Sequence, residues 1–176
     1  MNIREATSDD RDGIQQVYLC AFPESESSLI AKLAVDLLLE KTTPHSVSLV
    51  AEAGGKIVGH VAFSPVVVDN AEDFLGYVLA PLAVKPDHQK GGIGSKLIEV
   101  GMQGLSDKGT DVIFVYGDPN YYGRFGFSAD AANQYATPYK LQYPSGWQAI
   151  VLNEYQFDTS SVAITCVDAL RDPHLW

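Results

Sequence analysis

The chain has little cysteine, a deficit of positive charge and no long apolar run. Its two cysteines form neither a Cys-x-x-Cys pair nor a cluster with histidine, so a metal site is not expected. Twelve lysine and arginine residues stand against 22 aspartate and glutamate residues, and the net charge of −10 disfavours nucleic acid as a partner. Because no stretch is long enough to span a bilayer and no apolar signal core opens the chain, we expect no membrane partner and a cytoplasmic location.

Apolar and aromatic residues are abundant. Hydrophobic residues make up 46% of the chain, and it contains nine tyrosines and seven phenylalanines, which indicates a packed globule. We predict a single domain over residues 1–176, with its core over residues 1–153 and an unassigned C-terminal extension over residues 154–176. Cys20 and Cys166 each lie in an apolar run, which predicts two buried free thiols.

The hydrophobic periodicity predicts an α/β chain with a mixed sheet. Helical spacing follows a start signal at Asp9 and Asp10, resumes after a proline and a polar break at residues 24–28, and returns from Ile93. Gly54 and Gly55 predict a tight hairpin turn. The predicted strands cover residues 3–6, 46–53, 56–68, 74–84, 111–117, 134–139, 148–152 and 161–167.

A junction of strand, glycine-rich loop and helix organises the chain. An apolar run at residues 78–84 is stopped by Pro86, and helical spacing begins at Ile93. Backbone N–H groups at the start of a helix have no internal partner, and the helix dipole adds partial positive charge there. Glycine lets the backbone approach a ligand, and residues 85–96 contain three lysines and a single acid. The junction therefore predicts a site for an anion such as a diphosphate.

Four interpretations of this loop differ in what it binds. A Walker loop needs a lysine directly after its last glycine, whereas Gly94 is followed by a serine. A dinucleotide fingerprint needs a third glycine where Leu97 stands. A glycine-rich turn that binds nothing is also open. The remaining pattern, Gln89-x-x-Gly92-x-Gly94, resembles the coenzyme A diphosphate loop of the GNAT N-acetyltransferases.

A second motif strengthens this resemblance. Residues 122–127 read Tyr-Gly-Arg-Phe-Gly-Phe, which resembles the Tyr-x-x-x-Gly-Phe segment that GNAT proteins carry after the strand that follows the diphosphate helix. The order of predicted elements is similar to that superfamily over about the first 150 residues. The local sequence of residues 79–84 and 117–127 resembles its small bacterial YhbS-type members.

The resemblance implies a fold and a cofactor. The fold is an α/β (α+β) GNAT-like mixed, mostly antiparallel sheet of about seven strands flanked by four helices, with a central splayed parallel strand pair. The cofactor is acetyl-CoA, with its diphosphate on the loop and its pantetheine arm along the strand before it. The implied cofactor-binding residues are Leu82, Ala83, Val84, Gln89, Lys90, Gly91, Gly92, Ile93, Gly94, Ser95 and Asn120.

The resemblance also implies direct attack by a neutral amine in a ternary complex. Tyr122 matches the family's catalytic tyrosine, and a phenol, which ionises only near pH ~10, can donate a proton to the departing thiolate. A ring that only packs beneath the cofactor is the alternative role for Tyr122. The family fixes no position for the base that deprotonates the amine. Candidates for that base, each also an ordinary surface group, are Glu24, Glu26, His60, Asp73 and His88.

Two functions from different classes follow. The first is an N-acetyltransferase acting on a primary amine of a small molecule or peptide, in a pocket between residues 24–28 and residues 143–147. The acidic net charge favours a cationic acceptor. The second is a non-catalytic acyl-CoA-binding or regulatory GNAT module. Because many members of the superfamily form dimers, a homodimer is one expectation, although no residue pattern indicates its interface.

Overall fold

The computed structural model describes residues 1–176 and contains eight β-strands and five α-helices. The strands are β1 (Asn2–Glu5), β2 (Val47–Ala53), β3 (Lys56–Val68), β4 (Gly76–Val84), β5 (Val112–Tyr116), β6 (Tyr135–Ala136), β7 (Trp147–Val151) and β8 (Val162–Cys166). The helices are α1 (Arg11–Ala21), α2 (Glu24–Leu39), α3 (Ile93–Asp107), α4 (Pro119–Tyr122) and α5 (Ala129–Ala132). None of them is both long and apolar enough to cross a lipid bilayer.

The strands form a mixed, mostly antiparallel sheet in the order β1-β2-β3-β4-β5-β7, and β8 pairs with β3 and β6. β4 and β5 are parallel, from Gly76 opposite Val112 to Leu79 opposite Val115. β4 continues to Val84, five residues beyond Leu79, the last residue that pairs with β5, as a splayed pair requires. The predicted fold class is therefore confirmed, with eight strands and five helices in place of about seven and four.

The chain divides into two compact units. The first comprises Met1–Phe63 and Ala80–Met102, and the second comprises Ser64–Leu79 and Gln103–Trp176. The single domain over residues 1–176 stays a prediction.

In the first unit, α1 follows the start signal predicted at Asp9 and Asp10 and turns an apolar face to the interior. Ile14, Val17 and Tyr18 are completely buried in its hydrophobic core. Cys20 is exposed, so the prediction that both thiols are buried is wrong for this residue. The reason is helical geometry, because a position two residues after Tyr18 points to the opposite side of the helix.

The polar break predicted at residues 24–28 is wrong, because α2 already begins at Glu24. Pro23 stands before the helix, and its carbonyl accepts the N–H groups of Glu26 and Ser27 at 2.9 and 2.8 Å. Glu24 and Glu26 lie in the first turn, where the partial positive charge of the helix favours carboxylates. The polar residues therefore start the helix instead of separating two helices.

In the second unit, β7 pairs antiparallel with β5, and aromatic rings fill the space beside them. Phe114 stacks on Trp147 with ring centroids 5.2 Å apart and meets Tyr135 edge-on at 4.7 Å. Trp147 is only 7% exposed and belongs to the hydrophobic core.

The C-terminal extension takes part in the sheet of the second unit. β8 pairs antiparallel with residues 66–68 of β3 and parallel with β6. The strand predicted at residues 134–139 is reduced to the two residues of β6. Pro138 cannot donate a ladder hydrogen bond, and the Thr137 hydroxyl instead closes a local turn onto the Tyr139 carbonyl at 2.7 Å.

Candidate active site

The segment between β4 and α3 is a loop with left-handed residues. A 3₁₀ turn spans Pro86–His88, and Lys90 and Gly92 then have positive φ values of 62° and 80°. No heavy atom lies within 4 Å of the place where a Cβ of Gly92 would stand. Conformation, and not crowding, therefore requires glycine there, and α3 begins at the next residue, Ile93.

The backbone N–H groups of residues 90–95 donate to no acceptor within the protein. Before this run the N–H of Gln89 donates to the Pro86 carbonyl at 3.2 Å, and after it the N–H of Lys96 donates to the Gly92 carbonyl at 2.9 Å. Two exposed lysine side chains, one in the run and one directly after it, add positive charge. Consecutive free N–H groups at a helix N-terminus have the geometry of a phosphate-binding cradle.

The side chain of Gln89 makes a hydrogen bond within the protein. Its Nε2 donates to the carbonyl of Val84 at 2.9 Å and so fastens the loop to the end of β4. The Val84 carbonyl keeps a second lone pair, because a backbone oxygen accepts two hydrogen bonds. Leu82 and Val84 are half-buried and Ala83 is 6% exposed. The cofactor roles of these four residues stay predictions, and the contact gives Gln89 a structural role besides.

The Tyr-x-x-x-Gly-Phe motif begins at the end of α4, in the second unit. Asp118 caps this helix, since its carboxylate accepts the Asn120 N–H at 2.9 Å. Asn120 is exposed and its cofactor role stays a prediction. Arg124 is also exposed, and its guanidinium lies 4.6 Å from the centre of the Tyr121 ring, which gives it a packing partner on the protein.

Tyr122, the predicted proton donor, is half-buried and held by packing. Its ring meets Tyr121 edge-on at 5.0 Å and Phe127 edge-on at 6.0 Å. Burial, with a smaller contribution from Tyr121, raises the pKa of Tyr122 above the usual value of a phenol. Its hydroxyl makes no hydrogen bond to another group of the protein. The phenol is therefore protonated at neutral pH, which is the form that a proton donor needs.

Gly117, which lies against Tyr122, and Gln148, which binds Gly117, were not identified from the sequence. Gly117 follows β5 directly, and a Cβ there would lie 2.5 Å from Cε2 of Tyr122. Gln148 lies on β7, is 1% exposed and donates through Nε2 to the Gly117 carbonyl at 3.2 Å. The sequence signal for Gln148 was a polar residue inside the otherwise apolar run at residues 147–151.

Among the candidate bases, His60 is fully buried and engaged at both ring nitrogens. Nδ1 lies 2.7 Å from the Tyr18 hydroxyl and Nε2 lies 2.7 Å from the Ser48 hydroxyl. Burial lowers the pKa of His60 to about 3. These contacts favour a structural role. His88 is partly exposed, and its buried Nδ1 has no hydrogen-bond partner.

A cavity of about 540 Å³ lies in the second unit. Pro144 and Trp147, from the segment predicted to line the acceptor pocket, are part of its wall. Lys140 is the one charged residue of the lining, and the rest is mainly apolar or aromatic. No group of three or more histidine, cysteine, aspartate or glutamate side chains is arranged to hold a metal ion.

Comparison with known proteins identifies the family. The family model described as an acetyltransferase (GNAT) domain matches residues 44–129. The uncharacterized N-acetyltransferase YjhQ of Escherichia coli K12 is 36% identical over 134 residues, which are 75% of this chain and 72% of YjhQ. The chain belongs to the GNAT family of acetyltransferases. The resemblance stated from the two motifs is thus confirmed, and the family it names uses acetyl-CoA.

Two solved GNAT structures resemble this GNAT protein over almost its whole length. YhbS of Escherichia coli, solved in complex with CoA, has a TM-score of 0.80 at 28% identity and covers 97% of this chain and 92% of its own. A GNAT acetyltransferase of Brucella melitensis, solved in complex with acetyl-CoA, has a TM-score of 0.67 at 29% identity and covers 96% of both chains. YhbS is also 36% identical to this chain over 132 residues.

Proposed function

We propose that this protein is an acetyl-CoA-dependent N-acetyltransferase, which transfers an acetyl group to a primary amine by direct attack in a ternary complex. The observation that carries the proposal is the run of backbone N–H groups at residues 90–95 without an acceptor in the protein. Two relatives solved with CoA or acetyl-CoA support the choice of ligand.

The loop supplies what a diphosphate needs. Its free N–H groups act as hydrogen-bond donors, and the N-terminus of α3 adds partial positive charge. Lys90 adds a full charge, and Lys96 adds a charge that it shares with Glu99 at 3.8 Å. We assign the diphosphate to residues 89–95. We assign the pantetheine arm to the backbone of Leu82, Ala83 and Val84 and to Asn120.

We assign to Tyr122 the role of the acid that protonates the departing thiolate. When bound, acetyl-CoA supplies the acetyl group, so that the amine nitrogen forms a bond to the acetyl carbon while the carbon–sulfur bond breaks and the thiolate keeps the electron pair. The Tyr122 phenol donates its proton to that thiolate and regains one from solvent, and the amine loses a proton to a base or to water. The raised pKa of Tyr122 keeps the donor form populated at neutral pH.

Neither cysteine is suited to form an acetylated enzyme intermediate. Burial raises the pKa of the Cys166 thiol to about 12, so the nucleophilic thiolate is scarce at neutral pH. Cys20 is an exposed free cysteine on α1, a helix that supplies none of the residues assigned to the chemistry. Direct attack by the amine needs no covalent intermediate, in agreement with both environments.

Substitution of Tyr122 tests the enzyme against the alternative, a non-catalytic acyl-CoA-binding module. We expect Tyr122→Phe to lower kcat by about 10²–10⁴-fold, the usual contribution of general acid catalysis, while the Kd of acetyl-CoA stays the same. CoA release is measured with a thiol reagent, using phenethylamine, spermidine, lysine and a lysine-containing peptide as acceptors. Calorimetry gives the Kd.

Tyr121→Phe is the matched control, because Tyr121 carries the same hydroxyl one residue earlier and packs against Arg124. It is expected to keep the wild-type kcat. Unchanged turnover in Tyr122→Phe would refute the role of the phenol as acid. Tight binding of acetyl-CoA with no turnover of any acceptor would favour the binding module.

A further inference from the structure

The ring of Tyr122 occupies the space that a side chain at position 117 would need. A Cβ on Gly117 would lie 2.5 Å from Cε2 and 3.0 Å from Cδ2 of Tyr122, closer than such atoms approach in proteins. The φ of Gly117 lies outside the left-handed region, so its backbone would accept an alanine. Glycine is therefore present for the room it leaves to the tyrosine ring.

The backbone of Gly117 is fixed by two groups from the segment around β7. Its N–H donates to the Gly146 carbonyl at 3.0 Å. The side-chain amide of Gln148 donates both to the Gly117 carbonyl and to the Gly146 carbonyl, each at 3.2 Å. A glutamine amide has two N–H donors, so one buried side chain satisfies both oxygens. Gln148 thus fastens the position of Gly117 from inside the protein.

Packing, and not hydrogen bonding, sets the position of the Tyr122 hydroxyl. The ring touches Gly117 on one side, and the rings of Tyr121 and Phe127 meet it edge-on. The hydroxyl itself has no partner in the protein. If Gly117 shifts, the Tyr122 ring shifts with it, because no hydrogen bond holds the hydroxyl in place.

We propose that Gly117 and Gln148 are positioning residues for the phenol of Tyr122. Gly117 gives the ring its place, and the Gln148 amide holds that glycine still. The inference rests on the proposed role of Tyr122 as proton donor. Since displacement of a reacting group by about 1 Å can cost about 10²-fold in rate, disturbance of either residue should lower kcat more than it changes acetyl-CoA binding.

A double-mutant cycle tests this proposal with acetyl-CoA and whichever panel amine is turned over fastest. We expect Gly117→Ala to lower kcat by about 10–100-fold in the wild type and by less than about twofold in Tyr122→Phe, where no hydroxyl is left to misplace. The Kd of acetyl-CoA, measured by calorimetry, should stay within about twofold in all four proteins. A role in folding alone would lower kcat equally in both backgrounds.

Gly123→Ala is the matched control, because a Cβ at Gly123 meets no atom within 4 Å. It should keep the wild-type kcat. Should Gly117→Ala not fold, Gln148→Glu, which replaces the amide donors by oxygen, enters the same cycle with the same expected loss of additivity. Equal losses of kcat in both backgrounds would overturn the positioning role while leaving Tyr122 as the acid. An unchanged kcat in Tyr122→Phe would refute the acid role, and this inference with it.

Discussion

At the scale of single residues, His60 shows how a buried ionisable group links stability to pH. Its ring nitrogens face two hydroxyl groups, those of Tyr18 and Ser48, and burial lowers its pKa to about 3. The unfolded chain takes up this proton near pH 6.5, whereas the folded protein does not until the pH is near 3. The contribution of a neutral His60 is therefore complete above pH 6.5 and is lost as the pH falls below it.

We predict that the free energy of unfolding falls by about 1.4 kcal/mol per pH unit below pH 6.5 through this one residue, or about 2 kcal/mol by pH 5. Urea denaturation between pH 7.5 and pH 5 measures it. The range stops above pH 4 because the Asp10 carboxyl, whose pKa Arg4 lowers to about 2, would add its own dependence there.

His60→Gln is the comparison for this prediction, because glutamine offers a donor and an acceptor but does not titrate. The variant should be less stable at pH 7.5 and should lose less stability than the wild type on acidification. Parallel pH dependences of the two proteins would show that another group controls the acid sensitivity.

At the scale of elements, the close packing of α3 on β3 depends on a glycine. A Cβ at Gly101 would overlap the ring of Phe63, and both residues are buried in the first unit. We predict that Gly101→Ala lowers the free energy of unfolding by about 1–3 kcal/mol, the usual cost of overpacking. Thermal and urea unfolding measure the change.

Gly104, in the same helix, is the control for Gly101. It is exposed and a Cβ there meets nothing within 4 Å. Gly104→Ala should raise the free energy of unfolding by up to about 1 kcal/mol, since alanine favours the helix. Equal effects of the two substitutions would show that helix propensity, and not the contact with Phe63, decides the outcome.

The elements that the sequence predicted well are those with a local signal. β3 was predicted with its observed bounds, because a turn of two glycines precedes its apolar run and an acidic turn follows it. The start of α2 was missed because its first turn is polar and looks like a linker, although Pro23 and two acids are a start signal. The shortening of β6 and the partner of β8 depend on contacts distant in the chain, which periodicity does not contain.

At the scale of the whole molecule, local signals again predicted one part of the candidate site, and contacts distant in the chain formed the part that was missed. The loop at residues 89–95 could be predicted as an anion site because the strand, the glycines and the start of the helix follow one another in the sequence. The surroundings of Tyr122 were not, since Gln148 and Gly117 are 31 positions apart and meet only in the folded chain. The hydroxyl partners of His60 lie 42 and 12 positions away in the sequence and meet it only in the folded chain, which is why His60 remained among the candidate bases.

The loop before α3 is proposed to hold the diphosphate of acetyl-CoA. Thermal unfolding with acetyl-CoA at 100-fold its Kd should show a gain of about 2.7 kcal/mol, or a rise in Tm of about 5–10 °C. Gly92→Ala, which forces alanine to a φ of +80°, should lose most of that rise, whereas Gly104→Ala should keep it. S-acetylpantetheine, which lacks the diphosphate, should give no rise. No rise with acetyl-CoA, or an equal rise with NAD or ATP, would contradict the account.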